Sequence, residues 1–545
     1  MTDIKTNIRF EEVSLGEDGV YLEGDNGIMK ISEPIWIENK ARNIDTGEIN
    51  LILRYEYCGQ TEELTLKRDQ CLDCNSLIKF QKFGLDIHHF NKFEIIKHLL
   101  NEETIAEMIN THSKIGFGEH EGELIYKGYN CIGTKSIYTG NFDIEPKGKK
   151  YEWLTMFENE VLGNKNLELI CSISLTSLLI GLIGDEYSLE TLILHLVGNS
   201  TTGKSTALRL AISIFGSVKL SNNSLFSTYN TTHNAMMKRM AGTKGVTFAF
   251  DEISISNIGN FSQTIYTLSQ GVDKARLNKN SEQKEQETWL GVILSNGEKS
   301  LLNSSNKNVG IQMRVVEIEN ISWTSSAENA EEINKIVASN NGHIAIEVAQ
   351  HMMELGKEEV SKRYEQNVEM IKKVMNNNKL VDEFTSRRAN KIATITTTAK
   401  IFEEYLSKEL GKEIKLDIEG MLKILLTVEK ESIKSRNLDK SAIEYICQYI
   451  IDNQHKFEKS WKERPKGEII GKLRKKKDYL ELEMTESKFG EMLNEGGYES
   501  KKVVLKELKN KGILDCDDDR YTRKRITDSG IKAPVIVIKF PRKEN

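Results

Sequence analysis

The spacing of apolar and polar residues divides the chain into a strand-rich beginning and a longer part that mixes strands with helices. Between residues 20 and 145 apolar and polar side chains alternate, most clearly at residues 51–57. A period of two residues is typical of strands that bury one face. We therefore predict a β-rich N-terminal domain over residues 1–150, with one helix near residues 92–110.

The middle of the chain repeats short apolar strands followed by helix-forming runs. Residues 151–184 have a helical pattern, and residues 191–317 have the strand–helix alternation of a parallel sheet with helical crossovers. Residues 328–455 are a helical stretch rich in Glu, Lys and Ala. This order predicts an α/β core over residues 151–325 and a helical lid over residues 326–460.

The last part of the chain changes composition to Gly, Pro and clustered Lys and Arg, which indicates a linker at residues 462–477. The pattern that follows is helix, turn, helix and two strands, at residues 486–493, 494–498, 500–510, 521–526 and 535–540. That order is typical of a winged helix-turn-helix. Residues 461–545 are therefore predicted to be a basic linker followed by a winged-helix DNA-binding domain.

The clearest chemical motif matches G-x-x-x-x-G-K-[ST] between an apolar strand and a helix-forming run, the context of a P-loop. Its glycines let backbone N–H groups turn toward phosphate oxygens at a helix N-terminus, and Lys204 neutralises the β- and γ-phosphates. The Ser205 hydroxyl is a ligand for Mg²⁺. The predicted ATP-binding residues are Gly198, Asn199, Ser200, Thr201, Thr202, Gly203, Lys204, Ser205 and Thr206.

A second apolar strand ends in the acidic pair Asp251-Glu252, as in a Walker B motif. Asp251 would hold the metal together with Ser205, and Glu252 would polarise the attacking water as general base. The adjacent acids favour hydrolysis over phosphoryl transfer to a substrate hydroxyl. A strand that merely ends in two exposed acids is the plain alternative.

A third apolar strand ends at Asn296, where a sensor residue would lie between the acidic strand and the γ-phosphate. Arg314 follows at the place where ring ATPases carry an arginine finger, which stabilises transition-state charge in a neighbouring subunit. A strand-ending Asn and a solvated Arg are the alternatives. Arg387 and Arg388 are candidates for a second sensor. Together these motifs predict an α/β AAA+ P-loop ATPase core with ATP and Mg²⁺ as cofactors.

A polar stretch at residues 271–284, between the acidic strand and the sensor strand, has the pattern of a hairpin. Such a hairpin in a ring helicase grips the phosphate backbone of DNA. Lys279 and Lys284 would form the grip, with Lys274 and Arg276 nearer its base. A solvated charged hairpin is the alternative.

The C-terminal domain has an excess of basic residues. Residues 501–545 contain 13 Lys and Arg against 7 Asp and Glu, although the whole chain has a net charge of -6. A local basic patch on an acidic protein points to a local nucleic-acid contact, mostly to phosphates. Winged helices that bind proteins are the alternative. The candidate DNA-binding residues are Lys501, Lys502, Lys506, Arg523, Lys524 and Arg525.

The number of cysteines and the hydropathy of the chain indicate in which cellular compartment the protein works. Seven cysteines, an odd number, argue against a disulfide framework and for a reducing, cytoplasmic setting. Cys71 and Cys74 form a C-x-x-C that lacks a second ligand pair, so two ordinary thiols are favoured over a zinc site. The apolar run at residues 169–184 is shorter than the roughly 20 residues of a membrane span. We expect a buried helix there, no signal peptide and no membrane partner.

Taken with these motifs, several segments resemble the MCM-like, self-loading replicative helicases of staphylococcal pathogenicity islands and SCC cassettes. These belong to a phage and plasmid family long known as a domain of unknown function. The resemblance covers residues 20–545. It rests on the P-loop, the Asp251-Glu252 pair, and the segments at residues 34–37, 45–47, 226–234, 271–276 and 294–298.

The resemblance implies a homohexamer with ATP sites between subunits, 3′-to-5′ movement and origin recognition by the C-terminal domain. Single-stranded and forked DNA, element origin DNA and other element-encoded replication proteins are the implied partners. The residues thus predict an ATP-dependent DNA helicase that translocates on single-stranded DNA. The main alternative is an AAA+ initiator or remodeller that binds DNA without processive unwinding.

Overall fold

The computed structural model describes residues 12–25, 27–256, 258, 260–275, 286–305, 308–435, 438–460, 465–498, 500–526 and 530–541. The chain forms two compact units. The first contains residues 1–146 and 242–244, and the second contains residues 147–241 and 245–545.

The first unit is rich in strands, as the alternating pattern predicts. Its strands are β1 (Val13–Leu15), β2 (Val20–Gly24), β3 (Gly27–Ser32), β4 (Ile35–Asn43), β5 (Ile49–Tyr57), β6 (Gln60–Lys67), β7 (Glu107–His112), β8 (Gly116–His120), β9 (Glu123–Lys127), β10 (Cys131–Ile132) and β11 (Ile137–Tyr138). Strands β1–β3 form an antiparallel sheet. A second sheet has the order β11-β7-β4-β5-β6. Along β5 the side chains of Leu51, Leu53 and Tyr55 are buried, which explains the period of two.

Three helices accompany these strands: α1 (Arg68–Cys71), α2 (Cys74–Leu77) and α3 (Lys92–Ile105). Helix α3 buries Ile95 and Leu99 in the same hydrophobic core as Leu51 and Leu53. The predicted helix at residues 92–110 is therefore correct in type but too long. Its last residues belong to β7, which pairs in parallel with β4.

The second unit contains five strands of one sheet: β12 (Leu192–Val197), β13 (Phe226–Thr228), β14 (Lys244–Asp251), β15 (Leu290–Gly297) and β16 (Val315–Glu319). Strand β12 pairs in parallel with β15 on one side and β16 on the other. Strand β14 lies beside β15 and pairs in parallel with β13. The helices beside the sheet are α4 (Lys150–Met156), α5 (Lys165–Tyr187), α6 (Lys204–Ser213), α7 (His233–Met240), α8 (Ser262–Gln270) and α9 (Val309–Gln312).

Helix α5 is the central helix behind this sheet. The Asn164 side chain caps its first turn by accepting hydrogen bonds from the N–H groups of Asn166 and Leu167. Among the described residues α5 is the one helix long and apolar enough to cross a bilayer, but its apolar window is 100% buried. A helix that is apolar all round and packed in protein is a core helix, as predicted.

A series of helices follows the sheet, in agreement with the predicted helical stretch. They are α10 (Ala327–Ser339), α11 (Ile344–Leu355), α12 (Lys357–Asn377), α13 (Thr385–Leu410), α14 (Ile418–Ser435) and α15 (Leu438–Asp452). Helix α13 packs against α5 and α12.

The C-terminal part contains β17 (Phe457–Glu458), β18 (Gly471–Lys475), β19 (Tyr479–Thr485), α16 (Glu486–Glu495), α17 (Lys501–Asn510), β20 (Arg523–Ile526) and β21 (Lys532–Pro541). The two helices and the hairpin β20–β21 follow the predicted order. The predicted linker is wrong in its second half, because β18 pairs with β19 there. Ala442, Ile446 and Ile450 of α15 share the core of this domain, so it begins earlier than the predicted residue 461.

Candidate functional site

The loop that matches the P-loop pattern joins the carboxyl end of β12 to the start of α6. Gly203 has a φ of 79° and precedes the helix. A Cβ at this position would lie 2.5 Å from Oγ1 of Thr324, so only glycine fits. The site therefore has the strand–loop–helix geometry that the sequence predicts, with the N-terminus of α6 open to the loop.

Lys204 lies under the loop rather than pointing into solvent. Its ammonium group donates hydrogen bonds to the carbonyl oxygens of Gly198 (2.8 Å) and Asn199 (2.7 Å). The side chain is buried, at 8% exposure. Carbonyl oxygens carry no net charge, so the positive charge of Lys204 remains available to an anion held by the loop.

The ends of β14 and β15 and the start of α6 meet at Asn296. Its Nδ2 donates to Oδ1 of Asp251 (2.7 Å) and to Oγ of Ser205 (3.2 Å). Its Oδ1 accepts from the backbone N–H of Glu252 (2.7 Å). The Ser205 hydroxyl also donates to Oδ1 of Asp251 (3.0 Å). The structure therefore brings together three segments that are separate in sequence, represented by Ser205, the Asp251-Glu252 pair and Asn296.

Glu252 has an unusual backbone. Its φ is 59°, a left-handed conformation that is strained for a residue with a side chain. The Asn296 amide holds its N–H, and its own carboxylate accepts from the N–H of Ser254 (3.1 Å). Such strain persists only where neighbouring contacts determine it, and it is common at functional sites.

The residues at this site fit magnesium-bound nucleotide. Mg²⁺ takes oxygen ligands at about 2.0–2.1 Å in an octahedron, which places adjacent ligands about 3 Å apart. The 3.0 Å between Ser205 Oγ and Asp251 Oδ1 matches such a pair. Hydroxyl and carboxylate oxygens are also the donor types that Mg²⁺ prefers.

Two residues that support the loop have no role predicted from the sequence. Glu298 accepts a hydrogen bond from the Ser200 hydroxyl (2.6 Å), and Asn334 of α10 donates to Oγ1 of Thr206 (2.9 Å). Glu298 lies two residues beyond Asn296, so the strand-end rule that selected Asn296 could have included it. Asn334 lies on a distant helix and has no motif around it.

Arg314 lies in a cluster of charged side chains at the junction with α13. It donates to the carbonyl oxygen of Gly310 (2.9 Å), and its guanidinium lies 4.6 Å from the ring centroid of Tyr266. Nη2 is 3.7 Å from Oε1 of Glu190, which also pairs with Arg387. The arginine-finger role concerns a neighbouring subunit and stays a prediction.

Both candidates for the second sensor form ion pairs with carboxylates outside the nucleotide loop. Arg388 is 3% exposed, and its guanidinium pairs with Asp382 (2.7 Å) and with Glu429. Arg387 pairs with Glu190. Both arginines are accounted for by ion pairs within the chain, and Arg388 has a structural role in the helical part.

The predicted hairpin is described only at its base. Val272 and Thr288 form an antiparallel bridge, and the N–H of Asp273 donates to the carbonyl oxygen of Glu287 (3.0 Å). Lys274 is exposed beside a cleft of about 750 Å³ that α8 also lines. Arg276, Lys279 and Lys284 lie outside the described residues, so their predicted contact with DNA stays a prediction.

The basic residues of the C-terminal domain fall into two groups. Lys502 and Lys506 are exposed one turn apart on α17, and Lys524 is exposed on β20. Lys501 pairs with Glu486 (2.6 Å). The three exposed lysines are therefore better placed to contact phosphates than Lys501.

The two predicted wing arginines are held by carboxylates of the same domain. Arg525 makes a two-pronged pair with Glu481, at 3.0 Å for each bond, and also contacts Glu483 (3.0 Å). This contact lowers the pKa of Glu481. Arg523 pairs with Asp515 (2.6 Å). Their charge is balanced within the sheet, which weakens the prediction that they contact DNA.

The two cysteines of the C-x-x-C pair lie in environments that are ordinary for free thiols. Cys71 is buried, and burial raises the pKa of its thiol to about 12. The Cys74 thiol lies 3.8 Å from the carbonyl oxygen of Lys92. Within the described part of the chain, no group of three or more His, Cys, Asp or Glu side chains could hold a metal ion.

The fold and this site define a mixed α/β protein with a C-terminal helix-turn-helix domain. Residues 7–288 match the family described as "Domain of unknown function (DUF927)", and because this is more than half of the chain, the protein belongs to that family. Residues 437–543 match the "Cch helix turn helix domain". No curated protein matches the chain at a significant level.

A solved structure has a similar fold over nearly the whole chain. It is described as "SCCmec type IV Cch - active helicase" and aligns with a TM-score of 0.77 and 23% sequence identity over 98% of each chain. At this identity the likeness shows a common fold. "The A form apo structure of NrS-1 C terminal region-CTR(305-718)" aligns at a TM-score of 0.25 and 12% identity, over 73% of this chain and 91% of that one. That TM-score is too low to carry an argument.

Proposed function

We propose that this protein is an ATP-dependent DNA helicase with an AAA+ core. The observation that carries the proposal is the Asn296 amide, which links Ser205, Asp251 and Glu252 through three hydrogen bonds. A P-loop serine, an acidic pair and a polar sensor at adjacent strand ends are the parts that ATP hydrolysis needs. The shared fold with a protein described as an active helicase supports strand separation as the work that hydrolysis performs.

Each residue has a defined task in this proposal. The loop N–H groups and the Lys204 ammonium would hold the phosphates, and Ser205 with Asp251 would hold Mg²⁺. Bound Mg²⁺ supplies a Lewis acid that neutralises charge on the phosphate oxygens. Glu252 orients a water molecule and accepts its proton, while Asn296 keeps the Glu252 backbone in place.

The oligomer is proposed from the sequence resemblance. In a homohexamer Arg314 would stabilise charge at the site of a neighbouring subunit. Its guanidinium contacts Gly310, Tyr266 and Glu190 of its own chain, and its side chain is 13% exposed, so it would have to leave these contacts to reach a neighbouring site. Movement in the 3′-to-5′ direction is likewise proposed from the sequence resemblance.

The DNA contacts divide between two places. The hairpin predicted at residues 271–284 would grip single-stranded and forked DNA through Lys279 and Lys284, with Lys274 and Arg276 nearer its base. The helix-turn-helix domain would bind element origin DNA through Lys502, Lys506 and Lys524, which are exposed. Other element-encoded replication proteins are proposed partners.

The test follows phosphate release and strand separation together. Wild-type protein and a Glu252→Gln variant are incubated with ATP, Mg²⁺ and a forked duplex with 3′ or 5′ tails. We expect DNA-stimulated hydrolysis and strand separation by the wild type alone. Hydrolysis without separation on either tail would overturn the helicase proposal. It would favour the alternative, an AAA+ initiator or remodeller, because the helix-turn-helix domain can bind DNA without a motor.

A further inference from the structure

Three buried polar side chains form a hydrogen-bonded chain behind the candidate nucleotide site. The Tyr229 hydroxyl lies 2.7 Å from Oγ of Ser295, which lies 2.7 Å from Nδ1 of His195. Nε2 of His195 lies 2.9 Å from the carbonyl oxygen of Lys299. The three side chains are between 0% and 3% exposed, so water does not complete these bonds.

The acceptors fix the direction of every bond in this chain. Burial lowers the pKa of His195 to about 4, so the ring is neutral near pH 7. The Lys299 carbonyl can only accept, which places the ring hydrogen on Nε2. Nδ1 must then accept from the Ser295 hydroxyl. Ser295 in turn accepts from the Tyr229 hydroxyl, which is left as the donor.

Two members of this chain, Ser295 and Tyr229, are attached to residues proposed to hydrolyse ATP. Ser295 directly precedes Asn296 in β15, so the two side chains lie on opposite faces of one strand. The N–H of Tyr229 donates to the carbonyl oxygen of Asp251 (3.2 Å). Tyr229 is therefore hydrogen-bonded through its main chain to Asp251. Through its side chain it is hydrogen-bonded to Ser295, the residue before Asn296.

We propose that Tyr229 is a positioning residue for ATP hydrolysis, which acts through Ser295 on Asn296 and through its main chain on Asp251. The inference rests on the proposed function. Loss of the hydroxyl leaves a buried oxygen of Ser295 without its donor and removes one constraint on the position of Ser295 and of the adjacent Asn296. Small displacements of reacting groups have large effects on rate.

The opposing explanation is that Tyr229 only packs the core. Its ring lies 5.6 Å from the ring of Phe250 and 5.8 Å from that of Phe261. Tyr229→Phe keeps this packing and removes only the hydroxyl, so it separates the two explanations. Tyr405→Phe is the matched control, because Tyr405 is also buried and its hydroxyl donates to Glu347 (2.6 Å) in the helical part.

The experiment measures kcat and KM for ATP in the wild type and in the Tyr229→Phe, Ser295→Ala, double and Tyr405→Phe variants. We expect kcat to fall about 3- to 10-fold in Tyr229→Phe, with KM within about 2-fold of the wild type. Ser295→Ala should lower kcat similarly, and the double variant should lose no more than either single variant. Tyr405→Phe should retain the wild-type kcat.

Other outcomes would overturn the inference in distinguishable ways. If Tyr229→Phe and Tyr405→Phe had equal kcat values at equal melting temperatures, the hydroxyl would have no positioning role. Additive losses in the double variant would contradict a single chain through Ser295. If the wild type released no more phosphate than Glu252→Gln, the proposed function itself would fail, and the inference with it.

Discussion

The candidate nucleotide site and the basic surface of the C-terminal domain use charge in opposite ways. Lys204 is held by uncharged carbonyl oxygens of its own loop, so its charge is free to act on a ligand. Arg525 is held by the carboxylates of Glu481 and Glu483, so its charge stabilises the fold. A cation in a motif with fixed geometry is thus better evidence of a binding site than a cation in a basic run.

The largest effect should come from removing the cation of the nucleotide site. Lys204→Ala leaves the loop without its phosphate-binding charge, and we expect ATP hydrolysis to fall at least about 100-fold. DNA binding by the C-terminal domain should persist. Phosphate release and DNA affinity are measured side by side, with Lys219→Ala as a control at an exposed position of the same unit. If Lys204→Ala retained ATP hydrolysis, the contrast drawn between Lys204 and Arg525 would be wrong.

The next effect concerns the exposed lysines of the C-terminal domain. Changing Lys502, Lys506 and Lys524 to Gln should weaken duplex DNA binding about 10- to 100-fold at low salt. It should also reduce the slope of log affinity against log salt by about 2 to 3. Basal ATP hydrolysis should be unchanged.

The control for this variant alters the same number of charges elsewhere. Lys408, Lys412 and Lys415 are exposed lysines of the helical part, and their change to Gln lowers the net charge equally. An equal loss of DNA affinity in this control would mean that total charge, rather than the surface on α17 and β20, determines binding.

Arg525→Gln should lower stability rather than DNA affinity. The change leaves Glu481, whose side chain is 5% exposed, without its two-pronged partner, although Arg474 remains 3.7 Å away. Because Arg525 is partly exposed, we expect a loss of about 1 to 3 kcal/mol in the free energy of unfolding of this domain. Thermal melting is compared with that of Lys524→Gln, which should match the wild type. A loss of DNA affinity at full stability would restore Arg525 as a DNA contact.

The smallest predicted effect is a pH dependence of stability. It arises from His195, in strand β12 of the sheet at the nucleotide site. The folded pKa of His195 is about 4, below the ordinary value of 6.5. The unfolded chain therefore takes up a proton first, and stability present above pH 6.5 is lost as the pH falls toward 4. At pH 5.5 the loss should be about 1 kcal/mol. His195→Gln should show a smaller loss between pH 7.5 and 5.5, and an unchanged loss would contradict a neutral buried ring.

The motif residues could be predicted because each lies next to the feature that positions it. Ser205 follows the loop, and Asp251 and Asn296 end strands that lie side by side, so adjacent strand ends bring the polar side chains together. The alternating pattern in β5 and the helical stretch after residue 326 could also be predicted, because periodicity along the chain is a local feature.

Features that depend on distant partners could not be predicted. The pairs between Arg525 and its carboxylates join segments that lie far apart in the chain and whose register no local pattern specifies. The same holds for Arg388 and Glu429, and for the chain from Tyr229 to His195. In each case the sequence contains the residues but not the contact that gives them their role.

Strand separation in a single binding event tests the central claim most directly. The protein is first bound to a labelled forked duplex, and ATP with Mg²⁺ is then added together with an excess of unlabelled DNA that captures any dissociated protein. We predict that the wild type separates the strands under these conditions and that Glu252→Gln does not. Steady ATP hydrolysis by the wild type without strand separation would contradict a helicase and indicate an ATPase that only switches DNA binding.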